Sequence, residues 1–352
     1  MKIGNQEIGR DKPTYFIADI AANHDGELSR ALDLISLAKT SGADAAKFQH
    51  FRAEHIVSDK GFRELSELKS HQSNWGKSVY EVYREASLPW AWTTTLAEHA
   101  KKVGIHFFTS PYDFEAIDFV DEFVPAYKIG SGDITWLDAI DRVSSKAKPV
   151  ILATGAASLL EVRQAVKVIE KYKVPFSIMQ CNTNYTGSDR NLDYINLNVL
   201  NTYKHEFPNA ILGLSDHTHG STTVLGAVAL GARIIEKHFT DDVSRSGPDH
   251  HFSMTPKTWS EMIKHTREME CALGSEIKKV EDNERETVVL QRRGLRYSHP
   301  MRAGEVVTKD DVVALRPATP GSYSPNQMHE VIGKKILVNV DFHTPIRPSD
   351  FR

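Results

Sequence analysis

The chain has 352 residues, of which 40% are hydrophobic and 25% charged, and its formal net charge is −3. This length suits one large domain or two smaller ones, and the charge balance excludes a strongly basic surface for nucleic acid. No apolar run has the length of a membrane span or of a signal core, and two cysteines are too few for a disulfide framework, so we expect a cytoplasmic protein.

Short apolar runs alternate with helical patterns along most of the chain, which is typical of an α/β fold with a parallel sheet. The first run covers residues 15–23, and the helical pattern after it ends at Gly42. Seven more runs follow, at residues 45–51, 106–113, 126–133, 149–155, 176–185, 211–215 and 233–239. Eight strand–helix units predict a (β/α)₈ TIM barrel over residues 1–274, near the ~250 residues typical of that fold. An open doubly wound sheet is the alternative, but the first strand lacks the G-x-G-x-x-G loop of that fold.

The composition changes after the predicted barrel. Residues 275–289 are charged and poorly patterned, which predicts a linker or a connecting helix. Residues 290–352 contain short β-like pieces between Pro and Gly turns, which predicts a small, mostly β domain. Since such a short unit has a small core, we expect it to pack on a partner surface.

Two histidines stand at the ends of neighbouring predicted strands. His217 lies two residues past the run at 211–215, and His238 is the last but one residue of the run at 233–239, with a small-residue helix between the two runs. Parallel strands joined by a crossover helix lie side by side, so both imidazoles can reach one metal ion, although they make only half a coordination shell. Asp216, Lys237 and Asp249 are expected to add charge at the same place. A structural role is the usual one for a single histidine, and the matched pair favours a metal site.

Lysines and hydroxyl groups recur at the other strand ends, where a barrel carries its chemistry. Lys47 and Lys128 would supply positive charge, and lysine is otherwise awkward in parallel strands that are buried on both faces. The alternative is that their stems snorkel to the surface. Together with Thr109, Ser131 and Ser215 as neutral donors, they predict a site for a phosphate and a carboxylate.

The motifs FIADIAANHDG, GADAAKFQHF, FFTSPYD, YKIGSGDIT, QCNTNY, GLSDHTHG, VALGARIIEKHFT and GPDH resemble, in order and spacing, those of the sialic acid synthase family. The C-terminal RRGLRYSHPMRAGEVVTKDDVVALRP resembles the antifreeze-like SAF domain that follows the barrel in that family. Members condense phosphoenolpyruvate with an N-acylated mannosamine-type sugar to give nine-carbon 2-keto-3-deoxy acids. The resemblance therefore implies a metal-dependent synthase of this type.

The resemblance also implies roles for individual residues. His217 and His238 would bind a divalent metal, for which Mn²⁺ is the first expectation and Mg²⁺ or Co²⁺ the alternatives. Asp19, with the two histidines, is the predicted catalytic group and would handle protons or water. The predicted substrate-binding residues are Lys47, Gln49, Thr109, Lys128, Ser131, Asp133, Thr183, Tyr185, Ser215, Asp249 and Arg316.

Three positions depart from the family's pattern. Asp19 and Asp133 stand where glutamate is usual, and Thr183 stands where asparagine is frequent. The shorter Asp19 would need a water relay or a shifted sugar, so a different acceptor stays open, such as the diacetamido-trideoxy precursor of legionaminic acid. Asn74 is a candidate for the asparagine that the family carries before the third strand.

In the family, the SAF domain of one subunit covers the barrel mouth of the other. The resemblance thus implies a domain-swapped homodimer, in which the guanidinium of Arg316 reaches the N-acyl group of the sugar. The alternative for Arg316 is a solvated surface side chain. From another functional class, a carbohydrate-binding protein without catalysis is the competing hypothesis, and the intact lysines and histidines argue against it.

Overall fold

The computed structural model describes residues 1–65 and 77–351, and the chain divides into two compact units, Met1–Gly274 and Ser275–Arg352. Asn74, the predicted asparagine candidate, lies outside the described residues. Within the described ranges, we find no helix that combines the length and the apolar character needed to cross a membrane.

The first unit is an eight-stranded parallel barrel, counted over the described residues. After a short antiparallel pair, β1 (Lys2–Ile3) and β2 (Gln6–Glu7), the barrel strands are β3 (Tyr15–Asp19), β4 (Ala45–His50), β5 (His106–Pro111), β6 (Tyr127–Ile129), β7 (Val150–Ala153), β8 (Phe176–Cys181), β9 (Ile211–Asp216) and β10 (Ile234–His238). Their order in the sheet is β5-β4-β3-β10-β9-β8-β7-β6, so neighbours in sequence are neighbours in space. The predicted TIM barrel is confirmed, and the doubly wound alternative is wrong.

The helices of the first unit follow the strands in chain order: α1 (Leu28–Thr40), α2 (Ala53–Ile56), α3 (Asp59–Glu64), α4 (Val79–Ala86), α5 (Thr93–Val103), α6 (Phe114–Val120), α7 (Leu137–Ser144), α8 (Leu159–Lys171), α9 (Val199–Glu206), α10 (Thr222–Ala229) and α11 (Pro256–Leu273). Local sequence determines where several of these helices begin or end. Ser158 and Glu161 form a reciprocal capping box at the start of α8. Gly104 ends α5 in the left-handed region, at φ +78°, which is readily open to glycine.

Because side chains alternate between the two faces of each strand, the buried residues form two separate layers. One cluster contains Tyr15 and Ile17 of β3 and is made almost entirely of residues from the barrel strands and the N-terminal pair, so it fills the barrel interior. The other contains Phe16 and Ala18 together with apolar side chains of the surrounding helices. Asp19 continues the parity of Tyr15 and Ile17, and it therefore points inward at the C-terminal end of β3.

The second unit contains α12 (Arg285–Gln291) and an antiparallel pair, β11 (Gly294–Tyr297) with β12 (Val312–Leu315). Its small core is built from Leu295, Tyr297 and apolar side chains farther along the chain. The prediction of a small, mostly β SAF domain is confirmed. Helix α12 begins inside the stretch that was predicted to be a linker or a connecting helix.

Candidate active site

A ring of inward-facing residues closes the barrel at the C-terminal ends of its strands. Each strand from β3 to β10 contributes one of them, in order Asp19, Lys47, Ser110, Lys128, Ala153, Cys181, Ser215 and Glu236. They form the floor of a cavity of about 180 Å³. This is the position at which TIM barrels carry their chemistry.

Four side chains of the ring form a buried charge cluster, made of Asp19, Lys47, Lys128 and Glu236. The Nζ of Lys47 lies 2.7 Å from Oδ2 of Asp19 and 3.4 Å from Oε1 of Glu236, and the Nζ of Lys128 lies 3.2 Å from the same Oε1. All four side chains are at most 5% exposed. Two cations facing two anions in a poorly solvated site interact strongly and hold each other in place.

The titration of this cluster follows from burial and charge. Burial raises the pKa of Asp19, which Lys47 opposes and the carboxylate of Glu236 reinforces. For Glu236, burial also acts upward, but the ammonium groups of Lys128 and Lys47 outweigh it and hold the pKa below its usual range. Glu236 Oε2 and Ser110 Oγ have no hydrogen-bond partner among the described residues. A substrate in the cavity could therefore form hydrogen bonds with these groups without moving them.

The sequence analysis did not identify Glu236 as a site residue, and it placed Lys237 and Asp216 at the site instead. Lys237 points to the outside of the barrel, where its Nζ contacts the carboxylate of Asp216 and donates to the carbonyl of Thr218 at 2.6 Å. Asp216 also accepts a hydrogen bond of 2.7 Å from Thr223 on α10. Asp216 and Lys237 therefore do not line the cavity, although their charges still act on the imidazole of His217. Strand alternation could have identified Glu236, since it shares the face of His238.

The same alternation shows that Thr109, a predicted substrate-binding residue, faces away from the cavity. The Oγ1 of Thr109 lies 2.7 Å from Nδ1 of His50, whose Nε2 lies 2.8 Å from Oγ1 of Thr93. This hydrogen-bonded chain faces the helices outside the barrel, so Thr109 does not line the cavity. Ser110, the next residue, occupies the inward position.

Removing each of these two adjacent hydroxyl groups in turn distinguishes a role in substrate binding from a role in stability. Ser110→Ala is expected to raise KM for the anionic substrate about tenfold, the cost of one hydrogen bond to a charged group. Thr109→Val should leave KM unchanged and lower the free energy of unfolding by about 1–3 kcal/mol, because a nitrogen of His50 loses its partner. Steady-state kinetics and urea unfolding of both variants check this. A larger KM effect in Thr109→Val would contradict the inward assignment of Ser110.

The two predicted metal ligands come together. The ring centroids of His217 and His238 lie 5.4 Å apart, and both side chains line the cavity. Tyr185 packs on His217 at 4.3 Å between centroids, and Phe252 packs on His238 at 4.8 Å. The Nδ1 of His217 lies 3.0 Å from the carbonyl oxygen of Asn182. Because a carbonyl only accepts, Nδ1 must donate, and Nε2 keeps its lone pair.

Both imidazoles are neutral at physiological pH. Burial, with the charge of the neighbouring imidazole, lowers the pKa of His217 to about 4, and burial with the charge of Lys47 lowers that of His238 to about 3. The Nδ1 of His238 is buried with no hydrogen-bond partner in the described part of the chain, and its Nε2 lies 3.6 Å from Oδ2 of Asp19. Two neutral imidazoles with free lone pairs fit a divalent transition metal. No group of three or more potential ligands occurs among the described residues, so water or substrate would complete the shell.

Comparison with models of protein families identifies the family of this chain. Residues 34–278 match the model of the NeuB family, and residues 292–352 match that of the SAF domain. The chain belongs to the NeuB family. The resemblance seen in the sequence motifs is thereby confirmed.

Relatives cover nearly the whole of this NeuB-family chain. It is 33% identical over 349 residues to N,N'-diacetyllegionaminic acid synthase of Legionella pneumophila, covering 97% of this chain and 96% of that one. It is 30% identical over 335 residues to human N-acetylneuraminate-9-phosphate synthase, covering 95% and 91%. Among solved structures, N-acetylneuraminic acid synthetase of Leptospira borgpetersenii, in complex with citrate, matches with a TM-score of 0.72 and 30% identity over 82% of this chain and 94% of that one.

Of the other predicted substrate-binding residues, Gln49, Ser131, Tyr185 and Asp249 line the cavity of the NeuB-family barrel. The carboxylate of Asp249 accepts a hydrogen bond of 3.2 Å from the backbone of Ala22, and burial raises its pKa to about 7.

Two predicted residues lie beside the cavity but do not line it. Asp133 ends the 3₁₀ turn Ser131–Asp133 after β6, and the charge of Lys128 on the cavity floor acts on its carboxylate. Thr183 packs its methyl group over Gly155, where an added Cβ would lie only 2.5 Å from Cγ2. Neither residue lines the cavity, and their predicted contact with a substrate stays a prediction.

Arg316 belongs to the second unit, where its Nε donates to the carbonyl of Gln291 at 2.6 Å. Its predicted contact with the sugar stays a prediction.

Proposed function

We propose that this chain condenses phosphoenolpyruvate with an N-acylated mannosamine-type sugar, giving a nine-carbon 2-keto-3-deoxy acid and phosphate. The observation that carries the proposal is the pair of buried lysines on the cavity floor, beside two neutral imidazoles. The activities in the names of the relatives, which are synthases of nine-carbon sugar acids, support the same reaction class.

The floor of the cavity would hold the enol ester. Lys47 and Lys128 would pair with its phosphate and carboxylate groups, since charge-assisted hydrogen bonds to ammonium groups are strong where water is excluded. Ser110, Ser131 and Ser215 line the same floor and would add neutral donors. Glu236, bonded to both lysines, would keep their ammonium groups at a fixed separation.

The reaction joins two carbons and releases phosphate. C3 of phosphoenolpyruvate bonds to the aldehyde carbon of the open-chain sugar, and the aldehyde oxygen takes a proton to become a hydroxyl. Water adds to C2, and the C2–O bond to phosphate breaks, leaving the keto acid. Asp19 lies between Lys47 and His238, and its raised pKa suits a group that exchanges a proton with substrate or water.

We further propose that His217 and His238 hold a divalent metal ion, with Mn²⁺ as the first choice because imidazole ligands favour transition metals over Mg²⁺. When bound, the ion would supply Lewis-acid polarisation of the aldehyde oxygen. The protein's own contribution is to keep both rings neutral and oriented, through burial and the carbonyl of Asn182.

Phosphate release tests the proposed function. We expect phosphate from phosphoenolpyruvate only when an acceptor sugar is present, with N-acetylmannosamine or a diacetamido-trideoxy analogue as acceptor, and only without EDTA. Absence of release with every sugar, combined with measurable sugar binding, would instead favour a carbohydrate-binding protein without catalysis.

The proposed homodimer and the role of Arg316 share one test. We expect light scattering to give twice the mass of the chain, and Arg316→Ala to raise KM for the sugar about tenfold or more with KM for phosphoenolpyruvate unchanged, because a guanidinium fork would be lost from the acceptor alone. Arg293→Ala, in the same unit, is the control and should change neither constant. A fully active monomer, or equal effects of both substitutions, would contradict this assignment.

A further inference from the structure

The cavity also contains a tyrosine that the proposed chemistry does not use. Tyr112 lines the cavity and directly follows β5 (His106–Pro111), two residues after Ser110. Its backbone N–H donates to the carbonyl of His50 at 3.0 Å, which continues the pairing of β5 with β4 past the end of the strand. Since side chains alternate along an extended chain, Tyr112 points to the same side as Ser110, one layer farther from the floor of the cavity.

A glycine on the next strand makes room for the phenol of Tyr112. Gly130 directly follows β6 and shares the inward direction of Lys128, two residues earlier. A Cβ on Gly130 would lie 3.4 Å from the hydroxyl oxygen of Tyr112. Phe51 packs edge-on against the phenol, with ring centroids 5.9 Å apart, and so fixes its orientation. The hydroxyl group therefore lies against Gly130, in the layer above Lys128.

The hydroxyl of Tyr112 is a donor without an acceptor. Within the residues that the structure describes, no group forms a hydrogen bond with it. Burial, together with the charges of Asp133 and Asp19, raises the pKa of Tyr112 well above its usual range. The hydroxyl therefore keeps its proton at physiological pH and remains available to donate to a ligand in the cavity.

The strand order indicates which part of a bound substrate this hydroxyl would meet. In the ring of eight, β5 and β6 stand opposite β9 and β10. Tyr112 thus lies across the cavity from the two imidazoles, where the aldehyde of the acceptor would react. Ser110 and Lys128, which would hold the enol ester, are the floor residues of β5 and β6 themselves. The hydroxyl is therefore placed for the anionic substrate.

We propose that the hydroxyl of Tyr112 is a further donor to phosphoenolpyruvate and forms a hydrogen bond with an oxygen of the anionic group that Lys128 holds. This inference rests on the proposed condensation, from which it takes its ligand. Hydrogen bonds to an ionised acceptor are shorter and stronger than those between neutral groups, so the loss of this single hydroxyl should be measurable in binding.

Tyr112→Phe tests the proposal, because it removes the hydroxyl and keeps the ring. We expect the Kd of phosphoenolpyruvate to rise about tenfold, the cost of one hydrogen bond to a charged group. Isothermal titration calorimetry with Mn²⁺ in both solutions and no sugar measures this constant independently of the reaction. KM for phosphoenolpyruvate should rise by a similar factor, with KM for the sugar unchanged. Urea unfolding should be unchanged, since the hydroxyl has no partner in the described part of the chain.

Tyr127→Phe is the matched control. Tyr127 is a buried tyrosine on β6, but its hydroxyl oxygen lies 2.9 Å from the carbonyl oxygen of Ile117 and 3.0 Å from Oδ1 of Asp121, on the helix side of the strand. This variant should lose stability and keep both the Kd and the KM values, because its hydroxyl bonds within the protein.

An unchanged Kd in folded Tyr112→Phe, a rise confined to KM for the sugar, or an equal rise in the Kd of both variants would overturn the assignment while leaving the condensation intact. Absence of phosphoenolpyruvate binding by the native chain would contradict the proposed condensation, and the role of Tyr112 with it.

Discussion

Replacing Lys47 with methionine is expected to lower kcat/KM for phosphoenolpyruvate by about a thousandfold. The substitution keeps the length of the apolar stem but removes one of two ammonium groups that would pair with the anionic substrate. It also leaves Asp19 and Glu236 less neutralised, so both carboxylates would repel the incoming anion. Truncating one partner of a buried charge pair costs about 2–5 kcal/mol, and 1.4 kcal/mol corresponds to a factor of ten.

Lys237 supplies a matched control for this prediction, because it is also a buried lysine on a barrel strand but points outward to Asp216. Lys237→Met should lower the free energy of unfolding by about 3–5 kcal/mol, since Asp216 is left as an uncompensated buried charge. KM for phosphoenolpyruvate should be nearly unchanged. Steady-state kinetics and urea unfolding of both variants provide the comparison. Equal KM effects for the two lysines would remove the anion site from the floor of the cavity.

His217→Ala is expected to abolish tight binding of Mn²⁺ and, as a result, to lower the activity at least a thousandfold. With one imidazole gone, a single histidine remains from the protein, which is too few ligands to retain a divalent ion against water. Titration of Mn²⁺ followed by electron paramagnetic resonance gives a direct readout, since bound and free ions differ in signal. The native chain should bind one ion per subunit, and EDTA should remove it together with activity.

His50→Asn is the control for the metal site. His50 is also buried, and burial lowers its pKa to about 3, but it faces the helices and bonds to Thr109 and Thr93. This variant should lose stability and keep its metal. Unchanged Mn²⁺ binding in His217→Ala, or its loss in His50→Asn, would contradict the assignment of the ligands.

The barrel could be predicted from sequence because each strand is a short apolar run next to a helical pattern, and eight such units permit few arrangements. Lys47 and Lys128 could be predicted for a related reason, since lysine within a buried strand demands a partner. Thr109 shows the limit of prediction from the sequence. Deciding which of two adjacent residues faces inward needs the register of the whole strand, and a shift of one residue exchanges the two faces.

The position of Val82 and Ala86 at the cavity could not be predicted from the sequence, because they look like the apolar stripe of an ordinary surface helix. The directions of Asp133 and Thr183 could not be predicted either, because both follow the ends of their strands, where strand alternation no longer fixes the direction of a side chain.

The fate of the bridging oxygen of phosphoenolpyruvate tests the central claim most directly. With ¹⁸O in the C–O–P bridge, Mn²⁺ and an N-acylated mannosamine-type sugar, we expect all of the label in the released phosphate, and we expect no phosphate when the sugar is omitted. Label retained in the keto acid, or phosphate release that does not depend on the sugar, would contradict condensation with C–O cleavage at this site.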